Sequence, residues 1–155
     1  MPEFILNVND YRAFEKLDAF TRGYIEAMFF TETSPAYDSD EWHTPECQKA
    51  QEEGRADGTI PGDAAFDDLT PEALAEIIAD CEAFQRDNES LLEAAYETPR
   101  YDADRAGNDY WYTRNGHGCG FWDRGLGEVG DKLSDACRHS SVDLFYTEAG
   151  KVGIA

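Results

Sequence analysis

The sequence is short of base. Its 155 residues hold 13 Lys and Arg against 33 Asp and Glu, for a formal net charge of -20. A chain so charged is repelled by phosphate backbones and anionic membranes, so direct nucleic-acid binding and lipid docking are not expected of it. It also lacks any apolar run near the roughly 20 residues that span a bilayer. Met1 to Asp10 has neither a basic start nor a long apolar stretch, so no secretory leader is expected and a cytoplasmic protein is. Cysteine is sparse: Cys47, Cys81, Cys119 and Cys137 stand far apart, without the two-residue spacing of zinc or redox motifs, and reduced thiols are expected. No Gly-Lys-Ser/Thr follows a glycine cluster, which removes the phosphate-loop motifs.

Aromatic residues, in contrast, make up 13% of the chain. With that supply, 155 residues suffice for one domain with a real core. Asn9 or Asp10 can cap a helix from about Tyr11, in which Leu17, Phe20, Tyr24, Ala27 and Met28 recur at helical spacing. Gly23 is a mild blemish in that stripe. From residue 31 to 68 no period is sustained, and an irregular acidic insertion is expected, with a flexible tip around Gly54 to Gly62. Thr70-Pro71 is a strong helix start, threonine as cap and proline where its missing N–H costs nothing. Leu74, Ile77, Ile78, Cys81, Phe84, Leu91 and Leu92 then predict one helix to about Ala95, with Glu72, Glu76 and Asp80 on its far, solvent-facing side.

Residues 109 to 155 predict a hairpin-helix-hairpin module. Tyr110 to Thr113 carries β-prone aromatics, Asn115-Gly116 is a strong hairpin signal, and Cys119 to Trp122 can return as the partner strand. Glu128 to about Arg138 predicts a short helix burying Val129, Leu133 and Ala136 or Cys137. Val142 to Thr147 reads as a strand, Glu148 to Lys151 as a turn and Val152 to Ala155 as a last strand. The expected fold is α+β: two longer helices and one short helix packed on a small antiparallel sheet of two hairpins.

Charge is distributed unevenly over this plan. Residues 31 to 104 hold 21 acids and 4 bases, so 17 of the 20 net negative charges lie in the insertion and the second helix. A general solubility coat would be more even.

The phrase Tyr110-Trp-Tyr-Thr-Arg-Asn-Gly-His-Gly-Cys-Gly-Phe-Trp-Asp-Arg-Gly-Leu-Gly, with Ile78-Ala-Asp-Cys-Glu-Ala-Phe before it and Val142-Asp-Leu-Phe-Tyr after it, resembles a group of small acidic proteins carried by tailed bacteriophages and prophages. The similarity covers Phe20 to Phe30 and Leu69 to Gly150. Ser34 to Asp63 is longer here than the resemblance leads one to expect. It implies a setting, infection of a bacterial host, and no reaction.

Three chemistries bear on the glycine-rich stretch. His117, Cys119 and Asp123 share one face of a strand, but same-face neighbours lie about 6.5 Å apart, too far for a nucleophile and its base to touch. His117, Cys119, Cys137 and His139 lack zinc spacing, and no metal or cofactor is expected. Arg114, His117 and Arg124 beside freed glycine amides form a possible anion or nucleotide site; a small enzyme or nucleotide-binding protein centred on residues 113–124 is therefore the alternative reading. Against it, the glycines serve close packing and Arg124 pairs locally with Asp123.

The leading expectation is binding rather than catalysis. Glu72, Glu76, Asp80 and Asp87 form a candidate acidic face for a basic host protein, itself a binder of nucleic acid, which the array would engage as a DNA mimic or anti-defence inhibitor. Such binding should weaken with salt and with neutralisation of Glu72, Glu76 and Asp80 together.

Overall fold

The computed structural model describes residues 11–32, 60, 64–147 and 149–154. In chain order these form α1 (Tyr11–Glu15), α2 (Ala19–Glu32), a 3-10 turn (Phe66–Asp68), α3 (Pro71–Asp87), α4 (Glu89–Tyr96), α5 (Ala103–Arg114), a second 3-10 turn (Phe121–Asp123), α6 (Glu128–Ala136), β1 (Leu144–Tyr146) and β2 (Val152–Ile154). The fold is therefore mostly helical, with a single two-stranded antiparallel hairpin among the described residues. The α+β expectation of two hairpins is overturned.

The expected first helix is two helices. Asp18 starts the second, its carboxylate accepting the Thr21 amide at 2.7 Å, which satisfies one of the free N–H groups of the first turn. The caps proposed at Asn9 and Asp10 lie outside the described residues. Phe14 of α1 packs edge-on against Phe66 at 5.3 Å between ring centroids. Most of the 31–68 insertion also lies outside the described residues. Ile60, inside the stretch expected to be a flexible tip, is fully buried.

Helix α2 is the centre of the core. Phe20, Thr21, Gly23, Tyr24, Ile25, Ala27, Met28 and Phe29 are all buried, so it is covered on nearly every side. Helix α5 crosses it at Gly23 and Gly107. A Cβ on Gly107 would run into the Phe20 carbonyl and lie 2.9 Å from the Tyr24 amide nitrogen; one on Gly23 would meet the Asp104 backbone. Two glycines thus bring two backbones into contact, and Asn108 seals the crossing by donating its side-chain amide to the Gly23 carbonyl at 2.6 Å. Around it Phe84 stacks on Tyr110 at 4.1 Å and on Phe121 at 5.8 Å. Tyr24 meets Trp111 edge-on at 5.3 Å. Such ring pairs add about 0.5–1.5 kcal/mol each beyond area burial.

Tyr110 to Thr113, expected as a strand, is the last turn of α5. Asp102 caps this helix through the Arg105 amide at 3.1 Å. Asn115-Gly116 then closes it. The His117 amide bonds the Tyr112 carbonyl at 2.9 Å and the Gly116 amide the Thr113 carbonyl at 3.4 Å, with Gly116 at φ +72. That is a Schellman helix end, in which glycine takes the left-handed position. Asn-Gly serves a hairpin turn and this helix end for the same reason, tolerance of positive φ, so the dipeptide alone does not separate them. Cys119 to Trp122 leads into a 3-10 turn, held by the Thr113 hydroxyl accepting the Phe121 amide at 3.2 Å.

The helix at Thr70-Pro71 forms as the sequence predicts, the Ala73 amide donating to Thr70 Oγ1 at 3.0 Å. It stops at Asn88 rather than Ala95. The Asn88 side chain donates to the Phe84 carbonyl at 2.9 Å, the local competition with the helix ladder that makes asparagine a poor interior residue. Helix α6 buries Leu133, with Cys137 just beyond its end. The C-terminal hairpin pairs Leu144 with Ile154, Phe145 with Gly153 and Tyr146 with Val152. Leu69 bridges Val152 in parallel on the other side of β2.

One carboxyl sits uneasily beside the α2–α5 crossing. Burial, then the negative charge of Asp104, pushes Glu26 from an ordinary value near 4.5 up to about 7, against the pull of Arg22. Between those values the folded chain holds a proton that the unfolded chain has released, so stability falls as pH rises through the window. Glu26→Gln is expected to leave stability unchanged at pH 4 and, because Glu26 is only partly buried and water screens its charge, to raise it on the order of 1 kcal/mol at pH 8. Urea unfolding at the two pH values checks this.

Candidate functional site

The two arginines proposed for anion binding are both engaged by acceptors within the fold, Arg114 in the core and Arg124 at the surface. Arg114, with only 6% of its side chain exposed, leaves the end of α5 and enters the core. Its Nη1 donates to Tyr24 Oη at 3.0 Å and to Asp80 Oδ2 at 3.0 Å, and its Nε to the Ser140 carbonyl at 2.8 Å. The guanidinium also lies over the Tyr110 ring at 4.8 Å. One side chain thereby ties α2, α3, α5 and the segment before β1 together. Arg124 makes a two-pronged contact with Asp109, Nε and Nη2 to Oδ1 at 3.0 and 2.9 Å. Its partner is not the neighbouring Asp123 expected from the sequence.

Asp109 itself is fully buried and also accepts the Tyr101 hydroxyl at 2.8 Å. Burial raises its pKa, opposed by the hydrogen bonds and charge of Arg124. The Asp109–Arg124 clamp fixes the glycine-rich loop on α5. Both guanidinium groups thus have carboxylate partners in the fold, Asp80 for Arg114 and Asp109 for Arg124.

His117 sits beside the C-terminal end of the described α2, its Nε2 3.5 Å from Glu32 Oε1. That Nε2 is buried and has no hydrogen-bond partner among the described residues; 3.5 Å to Glu32 is too long for a well-formed bond. The strand that would align His117, Cys119 and Asp123 does not exist. Burial pushes the Cys81 thiol up and the Cys137 thiol up to about 12, so neither supplies a thiolate near neutral pH. Among the described residues no group of His, Cys, Asp and Glu could hold a metal ion.

The acidic face is divided. Glu72, Glu76 and Asp87 are exposed, Asp87 beside Arg86 at 3.4 Å. Asp80 is drawn into the ion pair with Arg114 and keeps 34% of its side chain exposed. It is structural rather than free. Glu89 and Glu93, which extend the acidic row of the sequence toward the end of the helical stretch, are exposed as well, and so are Glu82 and Glu97, which the sequence pattern did not single out; their positions on α3 and α4, with Arg86 the sole base between Pro71 and Glu97, were the available signal.

A polar groove of about 530 Å³ lies elsewhere, lined by Glu32, Asn115, Ser141, Val142, Asp143 and Leu144. No helix among the described residues is long and apolar enough to cross a membrane. No family model, curated protein or solved structure matches the chain.

Proposed function

We propose that this is a phage-type acidic binding protein that docks the exposed carboxylates of α3 and α4 on the basic, nucleic-acid-binding surface of a host protein and blocks it. One observation carries the reading. Among the described residues, Glu72, Glu76, Glu82, Glu89, Glu93 and Glu97 have no basic partner, although all are exposed. Like-charge neighbours four apart, such as Glu72 with Glu76 and Glu89 with Glu93, cost about 0.2–0.5 kcal/mol per pair. Glu93 and Glu97 also oppose the dipole at the end of α4. A basic partner relieves all of these at once.

The array is sparser than DNA. Carboxylates four residues apart on a helix are spaced by about 6 Å, against about 3.4 Å per phosphate along one strand. The favoured target is therefore a surface that grips a few phosphates. The resemblance to phage proteins supports a host nuclease, restriction or defence protein as the owner of that surface.

The test is retention of host proteins on the immobilised chain, with duplex DNA as competitor. Retained proteins are expected to be nucleic-acid-binding, to be displaced by the duplex, and to be released between about 0.05 M and about 0.5 M salt. The combined Glu72→Gln, Glu76→Gln and Asp87→Asn variant should weaken retention on the order of tenfold without loss of stability. Asp80 is left intact because it is needed by Arg114. Retention that duplex DNA and salt leave unchanged overturns the proposal.

A further inference from the structure

The groove adjoins the start of β1, whose outer edge pairs with no further strand among the described residues. The Thr147 amide donates to the Lys151 carbonyl at 2.8 Å, which makes those two a hydrogen-bonded pair of the antiparallel ladder. Bonded and non-bonded pairs alternate, so Phe145 and Gly153 form the next bonded pair, and Leu144 and Tyr146 turn their N–H and C=O groups away from β2. The far side of β2 is covered, for Thr70 donates its amide to the Val152 carbonyl at 3.0 Å. Among the described residues no hydrogen bond reaches the backbone of Leu144 or Tyr146 from the outer side of β1. Leu144 lines the groove.

The edge is held ready. Asn115 Oδ1 accepts the Val142 amide at 3.0 Å while its Nδ2 donates to the Trp111 carbonyl at 3.0 Å, so the approach to β1 is anchored to the end of α5. No lysine, proline or bulge, three of the devices that blunt an edge, occurs from Ser141 to Tyr146. Among the described residues the groove wall carries two carboxylates, Glu32 and Asp143, and no lysine or arginine. A second copy of this chain would bring the same acids against each other. A basic segment would complement them.

We propose that the β1 edge binds an extended segment carrying Lys or Arg, which adds a third strand to the hairpin and places a cationic side chain between Glu32 and Asp143. Main-chain bonds to Leu144 and Tyr146 supply the alignment, and the carboxylates select the charge. This site is separate from the acidic helix face and stands or falls independently of it.

The probe is a fluorescein-labelled hexapeptide of alternating Val and Lys, followed by fluorescence anisotropy. Two controls have matched length: one with Glu for Lys, and one with the Lys peptide N-methylated at alternate residues, which keeps its charge but cannot pair with a strand. The full chain is expected to bind the Lys peptide and to lose about tenfold or more in affinity for either control. Leu144→Pro removes an outward amide without removing a ladder bond, and should likewise cost about tenfold. Glu32→Gln with Asp143→Asn should weaken binding, whereas Glu72→Gln with Glu76→Gln should not. Equal binding of the N-methylated peptide shows general charge attraction and overturns the proposal, whether or not Leu144→Pro folds. So does a stable dimer of the chain that the Lys peptide fails to dissociate.

Discussion

Gly107→Ala is expected to destabilise the protein by about 3 kcal/mol or more, at the upper end of what over-packing costs. The added methyl would press on the Phe20 carbonyl and the Tyr24 amide nitrogen, both backbone atoms of a helix buried on nearly every side. No side chain is available to swing aside. Relief requires α5 to move off α2, which would loosen the Asn108 bond to the Gly23 carbonyl and the Tyr110 and Trp111 contacts with Tyr24. Gly118→Ala is the control, since a methyl there meets nothing within 4 Å, and a shift within about 0.5 kcal/mol is expected. Urea unfolding read by tryptophan fluorescence measures both. A Gly107→Ala midpoint within error of the parent would show that the two helices are not in backbone contact.

Asp80→Ala is expected to cost about 2–3 kcal/mol. Removing one partner of a buried ion pair strands the other charge, at about 3–5 kcal/mol when both are enclosed. Asp80 retains 34% exposure, so water already screens part of the attraction and the loss is smaller. Glu76→Gln, one turn earlier on the same helix and fully on the surface, should lie within about 0.5 kcal/mol of the parent. The contrast matters for function, because a variant lacking Asp80 would fail in binding through misfolding as readily as through lost charge. Equal stability of the Asp80 and Glu76 variants would place Asp80 among the free carboxylates after all.

Several features could be read directly because they depend on near neighbours in the chain. Thr70-Pro71 starts a helix because the cap and the proline act within one turn. Leu144 to Tyr146 and Val152 to Ile154 pair, within the two strands expected from Val142 and Val152 onward, because β-prone residues flank a short turn containing Gly150. The candidate site was legible in part for the same reason: Glu72, Glu76 and Asp87 are exposed because Ile77, Cys81 and Phe84 bury the opposite side of the helix. The partners of Arg114 and Arg124 were not legible because they are remote. Asp80 precedes Arg114 by 34 residues and Asp109 precedes Arg124 by 15, and no local pattern joins such pairs.

By itself the sequence determined the excess of acid in its middle, the start of α3, the short α6 and the closing hairpin, since each follows from composition or from contacts a few residues apart. Tertiary structure alone decided that Tyr110 to Thr113 is helical. A run buried on nearly all sides has no polar face to reveal a period, so aromatic strand preference was outweighed by the Asp102 cap, the Schellman end at Gly116 and packing on α2. It also decided that Gly23 and Gly107 meet, for a glycine's value at a crossing appears only when a second backbone arrives. Asp80 was likewise withdrawn from the acidic row by a buried arginine. What remains exposed on α3 and α4 is charge that the fold itself does not neutralise.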